Sequence, residues 1–185
     1  MTASVPRLEL EALPVELAAA LRPRVERLGY LGEFFKCTAH QPKALLSFMA
    51  FTDDLKEALP DTLTELVALT VARVMQNDYE RNQHERLCRK LGFADVWIQT
   101  VEALQPEQGD LLRDDERRVQ RLVLMMLARQ GCDVEAELAA VVATIGAPQA
   151  IAVLLLVGRY VTHSLIVNAL ALAPPVSSLF ASVQP

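Results

Sequence analysis

Apolar positions recur every three or four residues along most of this chain, the spacing typical of helices that each bury one face. After short helices in the first forty residues, the pattern predicts helices over about 42–56, 62–75, 77–91, 93–104, 114–129, 134–143 and 148–173. No segment alternates with period two over a useful length, so no strand is expected. The sequence therefore predicts an all-α fold.

Helix ends are marked by residues with known positional preferences. Pro14 and Pro23 are expected at helix starts, and Asp61 or Thr62 is expected to cap the helix that follows. Gly92 is expected to end the 77–91 helix, and Pro174 with Pro175 to stop the last one. We expect a helical N-terminal extension over 1–33, one helical domain over 34–173 and a tail over 174–185.

Composition limits the classes of function. The chain has 185 residues, of which 52% are hydrophobic and 22% charged, so it can bury a single sizeable core and is not disordered. Its net charge is −5, and no dense Lys/Arg cluster with interleaved aromatic residues occurs. Nucleic acid and anionic membranes are therefore not expected as partners.

Several features favour a cytoplasmic location. The first ten residues lack the layout of a secretory signal, and the three cysteines are scattered without metal-ligand spacing, as in proteins with reduced thiols. No metal site is expected. The apolar stretch 150–173 is interrupted by Arg159, His163 and Asn168, so a core or subunit-interface helix explains it better than a membrane span.

The sharpest candidate for chemistry is Glu65, which stands 19 residues before His84. Glu65 lies in line with Leu69 and Ala72 on a helix that is apolar on most of its circumference, so it is expected to be buried and to need a partner. His84 on the next helix can supply that partner. A carboxylate–imidazole pair moves protons near neutral pH, although a purely structural pair would have the same spacing.

Several segments resemble the carboxymuconolactone decarboxylase / alkylhydroperoxidase D-like (AhpD-like) family. The segment 65–73 is similar to the Glu-led apolar helix of that family, and 77–84 is similar to its Cys/Asn-x-Tyr-Glu/Cys-x-x-x-His block. His40 and Pro42 resemble its entry helix, and 156–170 resembles its closing helix. The resemblance implies a single AhpD-like helical domain that forms an oligomer.

One departure from the family pattern changes the expected chemistry. The peroxidase branch has Cys-x-x-Cys-x-x-x-His, and the two cysteine positions here are Asn77 and Glu80. A disulfide cycle cannot run without two thiols. Cys88 lies one turn beyond His84 with no second cysteine near it, so a thiol peroxidase that works through Cys88 is the weakest alternative.

The resemblance leaves a set of proton-transfer residues in place. It implies His84 as general acid/base, Glu65 as the residue that orients it, and Tyr79 as a hydrogen-bond donor to substrate. Candidate substrate-binding residues are His40, Arg73, Asn77, Glu80 and Cys88. His163 is expected to be a core or interface residue.

The leading hypothesis is a decarboxylase- or isomerase-like enzyme that acts on a small unsaturated or lactone acid without metal or organic cofactor. The main alternative is a non-catalytic helical oligomer in which Glu65 and His84 form a structural pair. Both hypotheses expect a homo-oligomer, from dimer to trimer or hexamer, because the apolar surface of 147–173 exceeds what one neighbouring helix can cover.

Overall fold

The computed structural model describes residues 5–181, and within that range the chain folds into nine α-helices and one short 3-10 helix. The α-helices are α1 (Val15–Leu28), α2 (Glu33–Thr38), α3 (Pro42–Ala58), α4 (Asp61–Val74), α5 (Asp78–Lys90), α6 (Asp95–Glu102), α7 (Asp114–Arg129), α8 (Glu135–Ile145) and α9 (Ala147–Ala169). No strand occurs in this part of the chain. The predicted all-α fold is confirmed.

Helix α4 forms the centre of the molecule. Every residue from Leu63 to Ala72 is buried, as expected for a helix that is apolar around most of its circumference. Its neighbours are α5, α6, α7 and α9. A polar side chain on α4 therefore lies inside the protein and must find its partner there.

The N-terminal helices build a second apolar cluster. Leu17 and Leu21 of α1 are fully buried, and they belong to one cluster with Phe34 of α2, Met49 of α3 and Tyr79 of α5. Residues 15–28 are thus packed on the rest of the chain through apolar contacts. The division at residue 33 stays a prediction.

The helix ends around α4 and α5 agree only in part with those predicted from the sequence. Asn77 caps α5, because its side-chain oxygen accepts a hydrogen bond from the Glu80 amide at 3.2 Å. Gly92 adopts a φ of 90° just after the end of α5, the left-handed conformation expected there. The predicted cap of α4 was wrong: Pro60 occupies the N-cap position, and Asp61 is already helical.

Two proline predictions were also wrong. Pro23 lies inside α1 on its exposed side. Proline has no amide hydrogen to donate within the helix, but the buried Leu17 and Leu21 hold α1 against the core. Helix α9 ends at Ala169, before Pro174 is reached. Its end is closed by the backbone, since the Leu172 amide returns to the Val167 carbonyl at 3.1 Å.

Helix α9 is long and apolar enough to cross a membrane by length and composition, with a mean hydropathy of 1.9 over its most apolar window. Half of that window is buried inside the fold, and a core helix satisfies the same criterion.

The segment after α9 runs back along α5. The side chain of Asn82 donates to the Val176 carbonyl at 2.8 Å, and Arg86 donates to the Ser177 carbonyl at 2.8 Å. Ser178 donates to the Glu85 carboxylate at 2.9 Å. These contacts hold residues 176–178 against the helix that carries His84.

Candidate active site

Glu65 and His84 meet between α4 and α5. The three-residue turn 75–77 makes these helices neighbours, and His84 Nδ1 lies 2.6 Å from Glu65 Oε2. Both residues are almost fully buried, with 2% and 7% of their surface exposed. Such a short contact in dry surroundings is a charge-assisted hydrogen bond.

The second nitrogen of His84 is also occupied. Its Nε2 lies 2.9 Å from Glu80 Oε2 and 3.3 Å from the Tyr160 hydroxyl. Burial alone would lower the pKa of His84, but the charge of Glu65 and the hydrogen bonds to Glu65 and Glu80 raise this pKa to about 9. Both ring nitrogens therefore carry protons at neutral pH, and His84 is an imidazolium between two carboxylates.

Glu80 connects α5 to α9. Its Oε1 lies 2.9 Å from His163 Nε2, and its Oε2 lies 3.7 Å from Arg159 Nη1 in addition to the contact with His84. Burial would raise the pKa of Glu80, but the hydrogen bonds from His163 and His84 and the charge of Arg159 hold it well below its ordinary value. Glu80 is thus an ionised carboxylate shared by two imidazoles.

His163 differs in charge from His84. Its ring stacks on Phe34 with centroids 4.0 Å apart. Burial lowers the pKa of His163 below its ordinary value, and the charges of Arg159 and His84 lower it further, although Glu80 opposes both effects. A neutral His163 that donates from Nε2 to Glu80 leaves Nδ1 unprotonated. This buried Nδ1 has no hydrogen-bond partner among the described residues.

Arg159 lies one helical turn before His163 on α9. Its Nε donates to the Thr52 hydroxyl at 3.1 Å, and its guanidinium lies over the rings of Tyr160 and Phe48, at 4.3 and 5.1 Å from their centroids. These contacts fix the guanidinium in place. Its buried Nη1 has no hydrogen-bond partner within residues 5–181.

A cavity of about 390 Å³ adjoins these residues. Tyr79, Glu80, His84 and His163 line it, together with apolar side chains that include Phe34. Six of its lining residues are Arg or Lys and only two are Asp or Glu, whereas the whole chain is acidic. The basic residues are Arg24, Arg27, Lys56, Arg86, Lys90 and Arg159.

The two acidic residues of the cavity compensate only part of this positive charge. Asp53 is already paired with Arg24, at 2.8 and 2.9 Å, and Glu80 is shared by His84 and His163. A cavity of this size and charge suits a small organic anion.

Tyr79 lies at the wall of the cavity, next to the start of α2. Its hydroxyl oxygen accepts a hydrogen bond from the Phe34 amide at 3.3 Å, so the hydroxyl proton remains for another acceptor. Burial raises the pKa of Tyr79 to about 12, and the tyrosine stays neutral. Gly32 permits this approach, since a Cβ there would lie 2.9 Å from the Tyr79 oxygen.

Four predicted substrate-binding residues lie away from the cavity. Asn77 is a helix cap whose amide donates to Ser164 at 3.0 Å. Arg73 is exposed at the far end of α4 and donates to the Glu102 carbonyl, while His40 is exposed and contacts the Pro6 carbonyl.

Cys88 is the fourth of these residues. It is fully buried, with its Sγ 3.7 Å from Glu65 Oε2. Burial, followed by the negative charge of Glu65, raises its pKa far above the ordinary value. Such a thiol has neither the access nor the thiolate form that peroxide reduction requires.

Sequence reasoning did not identify the positions of Lys56 and Arg159 at the cavity, or the contact of His163 with Glu80. Arg159 and His163 are spaced by four in an otherwise apolar helix, which places them on one face, and this spacing was the available signal. No group of three or more His, Cys, Asp or Glu side chains within residues 5–181 has an arrangement suited to a metal ion.

This arrangement of helices is found in known structures. A peroxidase-related protein with an AhpD core from Ralstonia eutropha JMP134 superposes with a TM-score of 0.79 at 18% identity, over 91% of this chain and 90% of that one. The debrominase Bmp8, as a variant in complex with 2,3,4-tribromopyrrole, gives 0.78 at 12% identity, over 94% and 92%. A protein of unknown function from Agrobacterium tumefaciens gives 0.66 at 15% identity, over 76% and 96%. The fold is AhpD-like.

The sequence also matches a protein-family model. Residues 42–105, which span α3 to α6, match the model of the Carboxymuconolactone decarboxylase family. The predicted resemblance to this family is confirmed over these residues, and the chain lacks the paired cysteines of the peroxidase branch, since Cys37, Cys88 and Cys132 are all free. No curated protein matches the sequence.

Proposed function

We propose that this chain is an enzyme that binds a small unsaturated or lactone acid in the 390 Å³ cavity and decarboxylates or isomerises it by acid/base chemistry. The observation that carries the proposal is the charged His84, held between Glu65 and Glu80 at the wall of a cavity with excess positive charge. The chain's own side chains then supply the acid, the base and the anion-binding group.

The two imidazoles support separate roles for an acid and a base. The pKa of His84 is raised to about 9, so His84 is a proton donor at neutral pH, while the pKa of His163 is lowered, so His163 is a neutral base. Environments that drive the pKa values of neighbouring groups apart are typical of acid/base pairs in enzymes. Glu80 joins the two rings and can pass a proton between them.

Arg159 and Tyr79 are suited to stabilise an oxygen atom that gains negative charge during the reaction. In a decarboxylation, the bond to the carboxylate carbon breaks, carbon dioxide leaves, and the electron pair moves through the unsaturated system towards a carbonyl oxygen. A cation on the leaving carboxylate would stabilise the ground state, so Arg159 is assigned to the carbonyl oxygen instead. The carbon that gains electron density takes a proton from His84, which water then reprotonates.

The test uses ligand binding as well as turnover. Paraconate, a five-membered lactone acid, and maleate are expected to raise the melting temperature of the wild-type chain, because they bind the folded state only. Arg159→Met should weaken this binding roughly tenfold to hundredfold, the range for a lost hydrogen bond to a charged group. Arg121→Met, an exposed arginine that pairs with Glu107, is the matched control.

The variant His84→Gln distinguishes an acid/base enzyme from a non-catalytic helical oligomer. This variant should bind the same acids but lose any release of carbon dioxide or isomerisation, measured by infrared or NMR spectroscopy. Full activity in His84→Gln, or no stabilisation of the wild type by any small acid, would contradict the proposal.

One observation favours the alternative hypothesis of a non-catalytic helical oligomer. Both nitrogens of His84 already have partners, as in a pair that serves only the structure. In that case the acids would bind weakly or not at all, and Arg159→Met would behave like its control.

A further inference from the structure

Lys56 lies in the cavity without a carboxylate partner. It is half-buried on α3, and no Asp or Glu oxygen of residues 5–181 lies within 4 Å of its amine. The chain has three other lysines. Lys36 forms ion pairs with Glu9 and Glu33, and Lys43 and Lys90 are exposed.

The position of Lys56 brings it to the same part of the cavity as Arg159. Thr52 and Lys56 are four residues apart on α3, so their side chains share a face one turn apart. Thr52 accepts the hydrogen bond from Arg159 Nε at 3.1 Å. The guanidinium is therefore fixed at the turn of α3 that precedes Lys56.

These surroundings increase the neutral fraction of the Lys56 amine. Burial lowers the pKa of Lys56 below its ordinary value, and the positive charge of Arg159 adds to this effect, although Glu65 and Glu80 oppose it. An amine in a partly dry pocket beside a second cation is the arrangement that makes a lysine nucleophilic towards carbonyl groups. The charge of Arg159 attracts an organic anion into the same cavity.

We propose that Lys56 is a nucleophile that forms an imine with the carbonyl group of a small oxo acid bound in this cavity. This inference rests on the proposed function for the cavity and its attraction for acids, and it adds acids that carry an aldehyde or ketone to the substrate class.

The step balances without any further reagent. The neutral amine adds to the carbonyl carbon to give a carbinolamine. Its hydroxyl group takes a proton from solvent and leaves as water, so a protonated imine remains. In a 3-oxo acid, the bond to the carboxylate carbon then breaks, carbon dioxide leaves, and its electron pair neutralises the imine nitrogen as an enamine. The enamine carbon takes a proton from His84, and water hydrolyses the imine to release the ketone and the amine.

The experiment traps the imine in the full chain. The protein is incubated with pyruvate, reduced with sodium borohydride and analysed by mass spectrometry before and after digestion. We expect one saturable adduct per chain, with the mass of pyruvic acid less one oxygen atom, on the peptide that contains Lys56. Trapping should accelerate from pH 7 to pH 9 as more of the amine becomes neutral.

Two variants make the result specific. Lys56→Arg keeps the positive charge but cannot form an imine, so its adduct should be lost, whereas Lys43→Arg, an exposed lysine outside the cavity, should behave like the wild type. No adduct in the wild type, or adducts spread equally over Lys43, Lys56 and Lys90, would overturn the inference.

The binding test with paraconate and the trapping experiment with pyruvate together distinguish this inference from the proposed function. If Lys56 is not a nucleophile but the cavity binds acids, paraconate will still stabilise the wild type and the borohydride experiment alone will fail. If the cavity does not bind acids, neither paraconate nor pyruvate will have an effect that depends on Arg159.

Discussion

At the scale of single residues, the charge of His84 couples the stability of the fold to pH. The folded-state pKa of about 9 lies above the ordinary value of 6.5, so the folded chain holds this proton more tightly than the unfolded chain. The resulting stabilisation is fully present below pH 6.5 and is lost as the pH rises through about 9. It amounts to a few kcal/mol, at about 1.4 kcal/mol per unit of pKa.

We therefore expect the free energy of unfolding to fall between pH 7 and pH 9.5, measured by denaturant titration followed by circular dichroism. Glu65→Gln, which removes the main source of the raised pKa, should flatten this slope. His40→Gln, an exposed histidine outside the cavity, serves as the control. An equal slope in all three proteins would show that His84 is not the titrating group.

The residues found from the sequence were those close together along the chain. Glu65, Tyr79, Glu80 and His84 lie within 20 residues, in two helices joined by a tight turn, so helical periodicity was sufficient to place them on facing sides. Arg159 comes from a helix about 75 residues later and reaches the site only through tertiary packing. No local pattern reports which distant helix packs against which.

At the scale of elements, helix existence was predicted better than helix ends. The α9 end differs from its predicted position because Ala171 adopts a positive φ of 49° and lets the backbone close the helix early. Alanine rarely adopts this conformation, so no residue preference predicted the early end of α9. The predicted end at Gly92, a residue with a strong preference for this position, was confirmed.

The contact between α5 and α6 gives a second pH-dependent effect. Glu102 of α6 lies beside Glu85, which is fully buried and accepts hydrogen bonds from Ser178 and the Leu179 amide. Burial, with the charge of Glu85, raises the pKa of Glu102 to about 7 against the opposing charges of Arg81 and Arg73. The folded state therefore loses stability as the pH rises from about 4.5 to 7, because a second carboxylate must ionise there.

Glu102→Gln imitates the protonated form and should remove this penalty. We expect the variant to be more stable than the wild type at pH 8, by on the order of 1 kcal/mol after allowance for solvent screening, and nearly equal to it at pH 5. Thermal unfolding at the two pH values measures the difference. Glu107→Gln, an exposed partner of Arg121, should show no such dependence, and a gain at pH 5 as large as at pH 8 would contradict the explanation.

At the scale of the whole molecule, an apolar face remains open on α8 and α9. Ile151, Leu155 and Leu165 of α9 are 53%, 46% and 57% exposed, and Val142 of α8 is 37% exposed. Contiguous exposed apolar surface is typical of subunit interfaces. This face supports the proposal, made from the sequence, that the chain forms a homo-oligomer.

Light scattering coupled to size exclusion tests the proposal. We expect the wild type to be a dimer or larger at micromolar concentration, and the double variant Ile151→Glu, Leu155→Glu to be a monomer with unchanged helical content, since two charges would oppose burial of the face. Val15→Glu, at an exposed apolar position on α1, should assemble like the wild type. A monomeric wild type would refute the expectation.

The sequence by itself determined the all-α class, the order of the helices and the acid–histidine pair, because these follow from helical periodicity and from contacts between consecutive elements. Only the tertiary structure decided that Glu80 bridges two imidazoles, that Cys88 is sealed beside Glu65, and that α3 and α9 bring Lys56 and Arg159 to one cavity. A cavity is space that distant helices leave when they pack, and its charge depends on which side chains those helices turn towards it. Neither property is encoded in the spacing of residues along any one helix.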